Sequence, residues 1–287
     1  MRPARSPRGI SRRSLLRLAS GVAVGLAVGE VAYGTFYERH HLSVTRAELP
    51  CHGLPDALDG LRVGLITDTH YSSFTGLPLI EQAVGLLQRE APDLVVLGGD
   101  YVTLRNRAYM PESATPFSAL QAPEGVFGVL GNHDDESEVP RALRRHGVTV
   151  LRDERTRLRI RGETVDLIGL RYWTQKTAAI TRVARGRAAF SILLAHDPRR
   201  LWEAAALRIP LVLSGHTHGG QVSLPLLGPV AAQKFPVADG TRIVDDTTLF
   251  VSRGVGTVLV PCRIDCPPEV ALLTLRRHSH AGTGSVA

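Results

Sequence analysis

At 287 residues, 44% hydrophobic and 21% charged, the chain can bury one full-size core and carries too little charge for a disordered protein. Its net charge of +7 comes from 34 basic and 27 acidic side chains, and six of the basic ones (Arg2, Arg5, Arg8, Arg12, Arg13, Arg17) lie in residues 1–29, where there is no acid. Setting those six aside leaves 28 basic against 27 acidic residues, so the net charge of the folded part gives no support for nucleic-acid binding and no such partner is expected.

The N-terminal Ser11-Arg12-Arg13-Ser14-Leu15-Leu16-Arg17 resembles the twin-arginine export motif. Residues 18–29 follow as an uncharged run of small and apolar side chains, about 12 long and shorter than the ~20 a spanning helix requires. This basic-then-apolar layout makes residues 1–36 a signal peptide or an N-terminal membrane anchor. Ala27-Val28-Gly29 offers a small-x-small cleavage site before Glu30, whereas the apolar character of residues 31–37 favours an uncleaved anchor. The leader implies the twin-arginine machinery as a partner. It places the protein across, or anchored to, a bacterial inner membrane on the extracytoplasmic side.

Beyond the leader, residues 42–49 alternate and read as an edge strand or a linker, so 37–56 are assigned to that role and the domain to 57–277. Apolar strands are predicted at 62–67, 94–98, 125–130, 148–151, 191–195 and 211–214, with a hairpin over 158–170 around Arg161-Gly162-Glu163. Helices are predicted at 79–90, 139–145, 177–188 and near 200–207. Residues 220–275 are rich in strands and turns, which predicts an α/β protein with a second sheet packed on the first. Residues 278–287 are small and polar and are expected to form a flexible tail. Cys51, Cys262 and Cys266 are too few for a disulfide framework. A bridge between Cys262 and Cys266, or from Cys51 to either, remains open beside the reading that all three are packing residues.

Five of the predicted strands end in the same way, in residue types that bind metals. They run into Asp68-Thr69-His70, Gly99-Asp100, Gly131-Asn132-His133-Asp134, His196-Asp197 and Gly215-His216-Thr217-His218-Gly219-Gly220. The carboxyl ends of neighbouring α/β strands share one crevice, so these groups can converge. In D-x-H and H-x-H both outer residues point to one side of an extended chain. Carboxylate, amide and imidazole donors together suit Zn, Mn or Fe and are poor for calcium. They are too many for one tetrahedral ion, and two ions sharing a bridging carboxylate account for them better.

These motifs, in this order, resemble the calcineurin-like metallophosphoesterases, in their bacterial exported or membrane-associated branch. The resemblance extends over residues 57–275 and includes Gly219-Gly220-Gln221 and Cys266-Pro267-Pro268-Glu269. It implies a four-layer α/β/β/α sandwich of two mixed sheets with a binuclear site at the strand ends. Carried over by motif, Asp68, His70 and His218 would hold the first divalent ion; Asn132, His196 and His216 the second; Asp100 would bridge. His133 would face the scissile phosphate and assist the leaving group, with Asp134 orienting it. The implied reaction is hydrolysis of phosphodiester or pyrophosphate bonds by a metal-bridged hydroxide. None of the usual covalent-nucleophile motifs occurs.

Tyr101-Val102-Thr103 stands where the protein-phosphatase branch carries Asp-Arg-Gly, which counts against a phosphoserine phosphatase. Some members of the exported branch act on UDP-diacylglucosamine or related lipid-linked substrates, which makes such a substrate the leading expectation. A nucleotide or cyclic-nucleotide phosphodiesterase is the alternative, and an inactive binding protein of the same fold a third reading. Two apolar, proline-containing loops, 74–80 and 222–230, are expected to touch an acyl chain or bilayer, or to pack on the domain. Arg263 is a candidate contact for a substrate phosphate.

Overall fold

The computed structural model describes residues 11–174, 176–224 and 227–278. The expected tail, apart from His278, lies outside them, as do residues 1–10 and the middle of the 222–230 loop.

Helix α1 (Arg12–Phe36) opens the described chain, its first turn capped by the Ser11 hydroxyl, which accepts the Ser14 N–H at 3.2 Å. At 1.5 Å per residue its 25 residues extend ~37 Å, more than the ~30 Å of a bilayer core. By length and composition the helix can cross a membrane, and residues 12–33 are all exposed. This corrects the short span expected from the uncharged run. The helix passes through Gly29 and Glu30 without a break, because one carboxylate among apolar residues does not stop helix formation. The expected cleavage point therefore lies inside it.

The remainder of the described chain is built around two six-stranded sheets. Strand β1 (Ser43–Cys51) is followed by β2 (Arg62–Ile66), α2 (Leu77–Arg89), β3 (Leu94–Leu97), β4 (Val126–Gly128), α3 (Glu138–Arg145) and β5 (Thr149–Val150). The hairpin β6 (Glu154–Ile160) and β7 (Glu163–Leu170) then starts the second sheet. It continues through α4 (Thr177–Ala184), β8 (Phe190–Ala195), α5 (Leu201–Ala206) and β9 (Leu211–Ser214). After the two-residue strands β10 (Ser223–Leu224) and β11 (Gly228–Pro229) come β12 (Gly240–Val244), β13 (Thr247–Val251) and β14 (Glu269–Arg277). Strand β14 returns to the first sheet, whose order is β1-β14-β2-β3-β4-β5; the second is β12-β13-β9-β8-β7-β6.

The period-two alternation of the strands decides which layer each side chain enters. Val63, Leu65, Val96 and Phe127 meet Leu167, Ile192, Leu213 and Phe250 between the sheets. The intervening Ile66, Val95 and Leu97 pack outward against Ile80, Val84 and Leu87 of α2. Ile168, Leu193 and Val212 do the same on the other side, against Ile180 and Leu201. Three apolar layers thus join the four expected layers of α/β/β/α.

Some boundaries move. Residues 37–56 supply the edge-strand alternative rather than a linker: β1 pairs in parallel with β14 from Ser43 to Cys51, so the domain begins there and not at 57. The helix expected over 177–188 stops at Ala184, ahead of Gly186, whose φ of 67° no helix continues through. Cys51, Cys262 and Cys266 are all free thiols, with Cys51 in the inter-sheet core. The loop expected over 74–80 splits, since Leu77 starts α2 and Ile80 is buried beneath it, which leaves Phe74 exposed.

Leu273 of β14 lies between the sheets, next to β2. Leu273→Ala is expected to lower stability by about 2–5 kcal/mol through the cavity it leaves. Urea unfolding should show this as a lower midpoint at unchanged slope.

Candidate metal centre

The parallel strands β2, β3 and β4 of one sheet and β8 and β9 of the other end at a common edge, and each delivers donors just past its last residue. Two groups form there. Asp68, His70 and His218 make one, and Asp100, His196 and His216 the other, with the ligand atoms of each group within 4.8 Å of one another. Asp100 joins them: its Oδ2 lies 3.5 Å from His70 Nε2 and 3.2 Å from His196 Nε2. Its Oδ1 is engaged by the His133 backbone N–H at 2.8 Å, which aims Oδ2 between the groups.

The donor atoms fit a pair of divalent cations. Asn132 Oδ1 is buried and accepts no hydrogen bond, an arrangement that costs free energy unless a cation or donor meets it. His70 Nε2 faces His218 Nε2 at 3.1 Å, and His196 Nε2 faces His216 Nδ1 at 3.1 Å. His196 donates Nδ1–H to the Gly98 carbonyl at 2.8 Å, which turns Nε2 inward toward Asp100; that backbone bond is the usual second contact of a metal-bound histidine, and a metal at Nε2 would displace its proton.

Burial sets the charges. It pushes the Asp68 carboxyl up to about 6, against the pull of His196 and with added repulsion from Asp100. Burial opposes ionisation of Asp100 too, but the neighbouring His196 and His70 outweigh it and hold this carboxyl well below the usual range. Burial lowers His70 and His216 to about 3 and drives His218 well below its ordinary value, so these imidazoles are neutral donors. His196 is the exception, because Asp100 and Asp68 overcome its desolvation and raise it to about 10. The site draws positive charge to itself.

The backbone at the ligands is unusual. Asp68, His70, Asp100, His216 and His218 all have φ between 46° and 73°, in the left-handed region that non-glycine residues avoid. Neighbouring glycines make room: a Cβ at Gly215 would collide with the Asp68 carboxylate, and one at Gly131 with Asp100.

The other expected site residues divide. His133 lies beside the cluster, its ring edge-on to His70 at 4.9 Å, with Nδ1 accepting the Leu104 N–H at 2.9 Å. Asp134 does not touch the His133 ring. Its buried carboxylate accepts the N–H groups of Asp100, Tyr101 and Gly131, each at 2.8 Å, and so ties the turn after β3 to the turn after β4. Arg263 also departs from expectation: it is fully buried, with its guanidinium donating to the carbonyls of Arg253, Gly254, Gly256 and Cys266, and is not open to a substrate. The motifs did not point to Tyr172 and Phe235, whose rings lie 5.3 and 5.2 Å from His216, nor to Lys234 beside them. No strand pattern or polar spacing marks these three. They reach the site on loops.

The profile of the calcineurin-like phosphoesterases matches residues 61–220. An uncharacterized metallophosphoesterase of Bacillus subtilis, YkuE, is 27% identical over 93% of this chain and 98% of its own length. The phosphodiesterase YaeI of Escherichia coli is 30% identical over 93% of this chain and 99% of its own. Among solved structures, the NAD nucleotidase NadN of Haemophilus influenzae shares the fold, with a TM-score of 0.50 and 14% identity over 68% of this chain, which spans about half (51%) of NadN.

Asp100→Ala removes the shared oxygen, and purified protein titrated with Mn²⁺ or Zn²⁺ should lose tight binding of both ions. Asp134→Asn puts an NH₂ against backbone donors and should cost about 1–3 kcal/mol in thermal unfolding while retaining the metal ligands themselves.

Proposed function

Because the chain belongs to the calcineurin-like phosphoesterases and is a metal-dependent phosphoester hydrolase, we propose that it cleaves phosphodiester or pyrophosphate bonds of a lipid-linked, UDP-diacylglucosamine-like substrate at a membrane surface. One observation carries this reading. Asp100, Asn132, His216 and His218 form the floor of a cleft of about 670 Å³ whose wall is apolar, with Val222, Leu224, Val258, Leu259 and Val260. Leu259 is 73% exposed and Val260 50%. Such side chains beside charged ligands suit a substrate with a phosphate at one end and hydrocarbon at the other.

The wall lies close to the apolar helix. Ser223 of β10 borders a hollow with Glu30, Tyr33 and Glu38, and the thiol of Cys262 lies 3.9 Å from the Val31 carbonyl. Tyr33, Phe36 and Tyr37 are exposed at that end of α1, where aromatic rings favour the membrane interface. Arg12, Arg13 and Arg17 lie at the other end, and the positive-inside rule puts them in the cytoplasm and the domain outside. A twin-arginine route, which carries folded proteins, would allow metals to be loaded before export.

When bound, two divalent ions supply the Lewis acidity that activates water and neutralises phosphate oxygens. Mn, Zn and Fe all match the donors. Asp68, His70 and His218 would hold one ion and Asn132, His196 and His216 the other, with Asp100 shared between them. His133 accepts a backbone N–H at Nδ1, so its neutral ring carries the proton on Nε2 and donates it as a hydrogen bond to the oxygen gaining charge. Lys234 on the cleft wall adds a positive charge for an anionic substrate.

Chelation with EDTA should abolish hydrolysis, and Mn²⁺, Zn²⁺ or Fe²⁺ should restore it. On the reconstituted full chain in detergent micelles, a UDP-linked glycolipid should be cleaved with higher kcat/KM than nucleotides or cyclic nucleotides; the reverse order would favour a nucleotide phosphodiesterase. His133→Ala should reduce kcat by about 10²–10⁴ with both ions retained. Replacing Arg12-Arg13 with Lys-Lys should block export, and unchanged export would exclude the twin-arginine route.

A further inference from the structure

The chain of contacts from α1 into the domain ends at the metal ligands. Gly34 is the one residue of α1 that is buried, and a Cβ there would strike the Arg263 carbonyl. Its own carbonyl accepts the Arg263 N–H at 3.1 Å. One turn on, the buried Glu38 carboxylate accepts the N–H groups of Cys266 at 2.6 Å and Asp265 at 3.2 Å. The last turn of the membrane helix is therefore bonded to the 263–266 turn.

That turn in turn grips the first metal group and not the second. The Arg263 guanidinium holds the Cys266 carbonyl at 3.0 Å and those of Arg253, Gly254 and Gly256 at 2.6–3.1 Å. The same loop donates Val255 N–H to the Thr67 carbonyl at 3.1 Å and Gly256 N–H to the Asp68 carbonyl at 2.7 Å. Cys266 Sγ lies 3.0 Å from the His218 carbonyl. At Gly254 and Gly256 a Cβ would press on Asp68 and His70 respectively, at 2.6 and 2.9 Å from their Cβ atoms. Asp68, His70 and His218 are thus all backed by one shell. His196 instead donates to Gly98, and Asp100 is held by Asp134 and the His133 N–H.

We propose that Glu38 and Arg263 are positioning residues for the first ion, so that the anchor helix is a structural part of the active centre and not only a tether. The inference rests on the metal reading above and adds that the two sites differ in their dependence on the helix. An uncompensated loss of the Glu38 carboxylate frees the Cys266 and Asp265 N–H groups and loosens the Arg263 turn. The strained turns at Asp68 and His218 then lose their support.

The test is metal titration of the detergent-solubilised full chain, with stoichiometry by elemental analysis and folding followed by circular dichroism. Glu38→Leu should weaken the binding of one ion by about tenfold or more and leave the other nearly unchanged. Glu38→Gln, which keeps one acceptor oxygen, should recover part of it. Gly34→Val, which pushes on the Arg263 carbonyl with Glu38 intact, should reproduce the selective loss, and serves if Glu38→Leu does not fold. Arg46→Ala, at an exposed ion pair with Glu90, is the control. Two ions bound at wild-type affinity in Glu38→Leu and Gly34→Val would overturn the proposal, and so would equal weakening of both ions. A wild-type chain that binds no ions would overturn it together with the metal reading.

Discussion

The buried carboxylate of Asp100 is the constraint on which the rest of the structure rests. One of its oxygens is fixed by a backbone N–H and the other lies between imidazoles of two different sheets. A charge so far from water is stable only if it is paired and its geometry is held. The fold supplies both. Strands from two sheets end at one edge, so His70 arrives from one and His196 from the other, and the apolar layer between the sheets fixes their separation.

Much of the polar network around the site exists to keep that arrangement in place. The Asp134 carboxylate accepts four backbone N–H groups in two adjacent turns, those of Asp100, Tyr101, Gly131 and, more weakly at 3.5 Å, Val102. Thr67 donates to Asp68 at 2.6 Å, and the His216 N–H reaches the same carboxylate at 3.0 Å across the gap between the sheets. Five ligand residues in left-handed conformation represent local strain of order 1–3 kcal/mol each. Such strain persists where surrounding bonds over-determine the backbone, as at Asp68, which is held on its carbonyl side by Gly256 and on its side chain by Thr67 and His216.

The sequence showed the candidate ligands because their chemistry is local. A run such as residues 94–97 that buries both faces, followed at once by Gly-Gly-Asp, marks a strand end with a polar group whatever the partner strands are. Position and order singled out Asp68, His70, Asp100, Asn132, His196, His216 and His218 as candidates, and the family resemblance supplied their division between two ions. Arg263 and Asp134 were legible as unusual but not in role. An arginine beside a motif looks the same in the sequence whether its guanidinium faces a phosphate or four carbonyls. Only the course of residues 253–266 makes it the second. Lys234, Phe235 and Tyr172 left no signal, since loops without periodicity do not announce which cavity they enter.

The same division holds at the N-terminus. The sequence alone established that the excess positive charge belongs to residues 1–17 and that an apolar segment follows it, because charge and hydropathy sum along the chain. The attachment of α1 through Gly34 and Glu38 was settled by packing, and its length by an unbroken run of backbone hydrogen bonds. Helix continuity depends on backbone hydrogen bonds that pass unhindered through a single Glu30, and the docking of Gly34 depends on a neighbour 229 positions away in the chain. Donor chemistry and element type are properties of short stretches and can be read in order. Convergence, burial and the choice between a ligand and its support are set by residues far apart in sequence, which meet only when two sheets close on a common core.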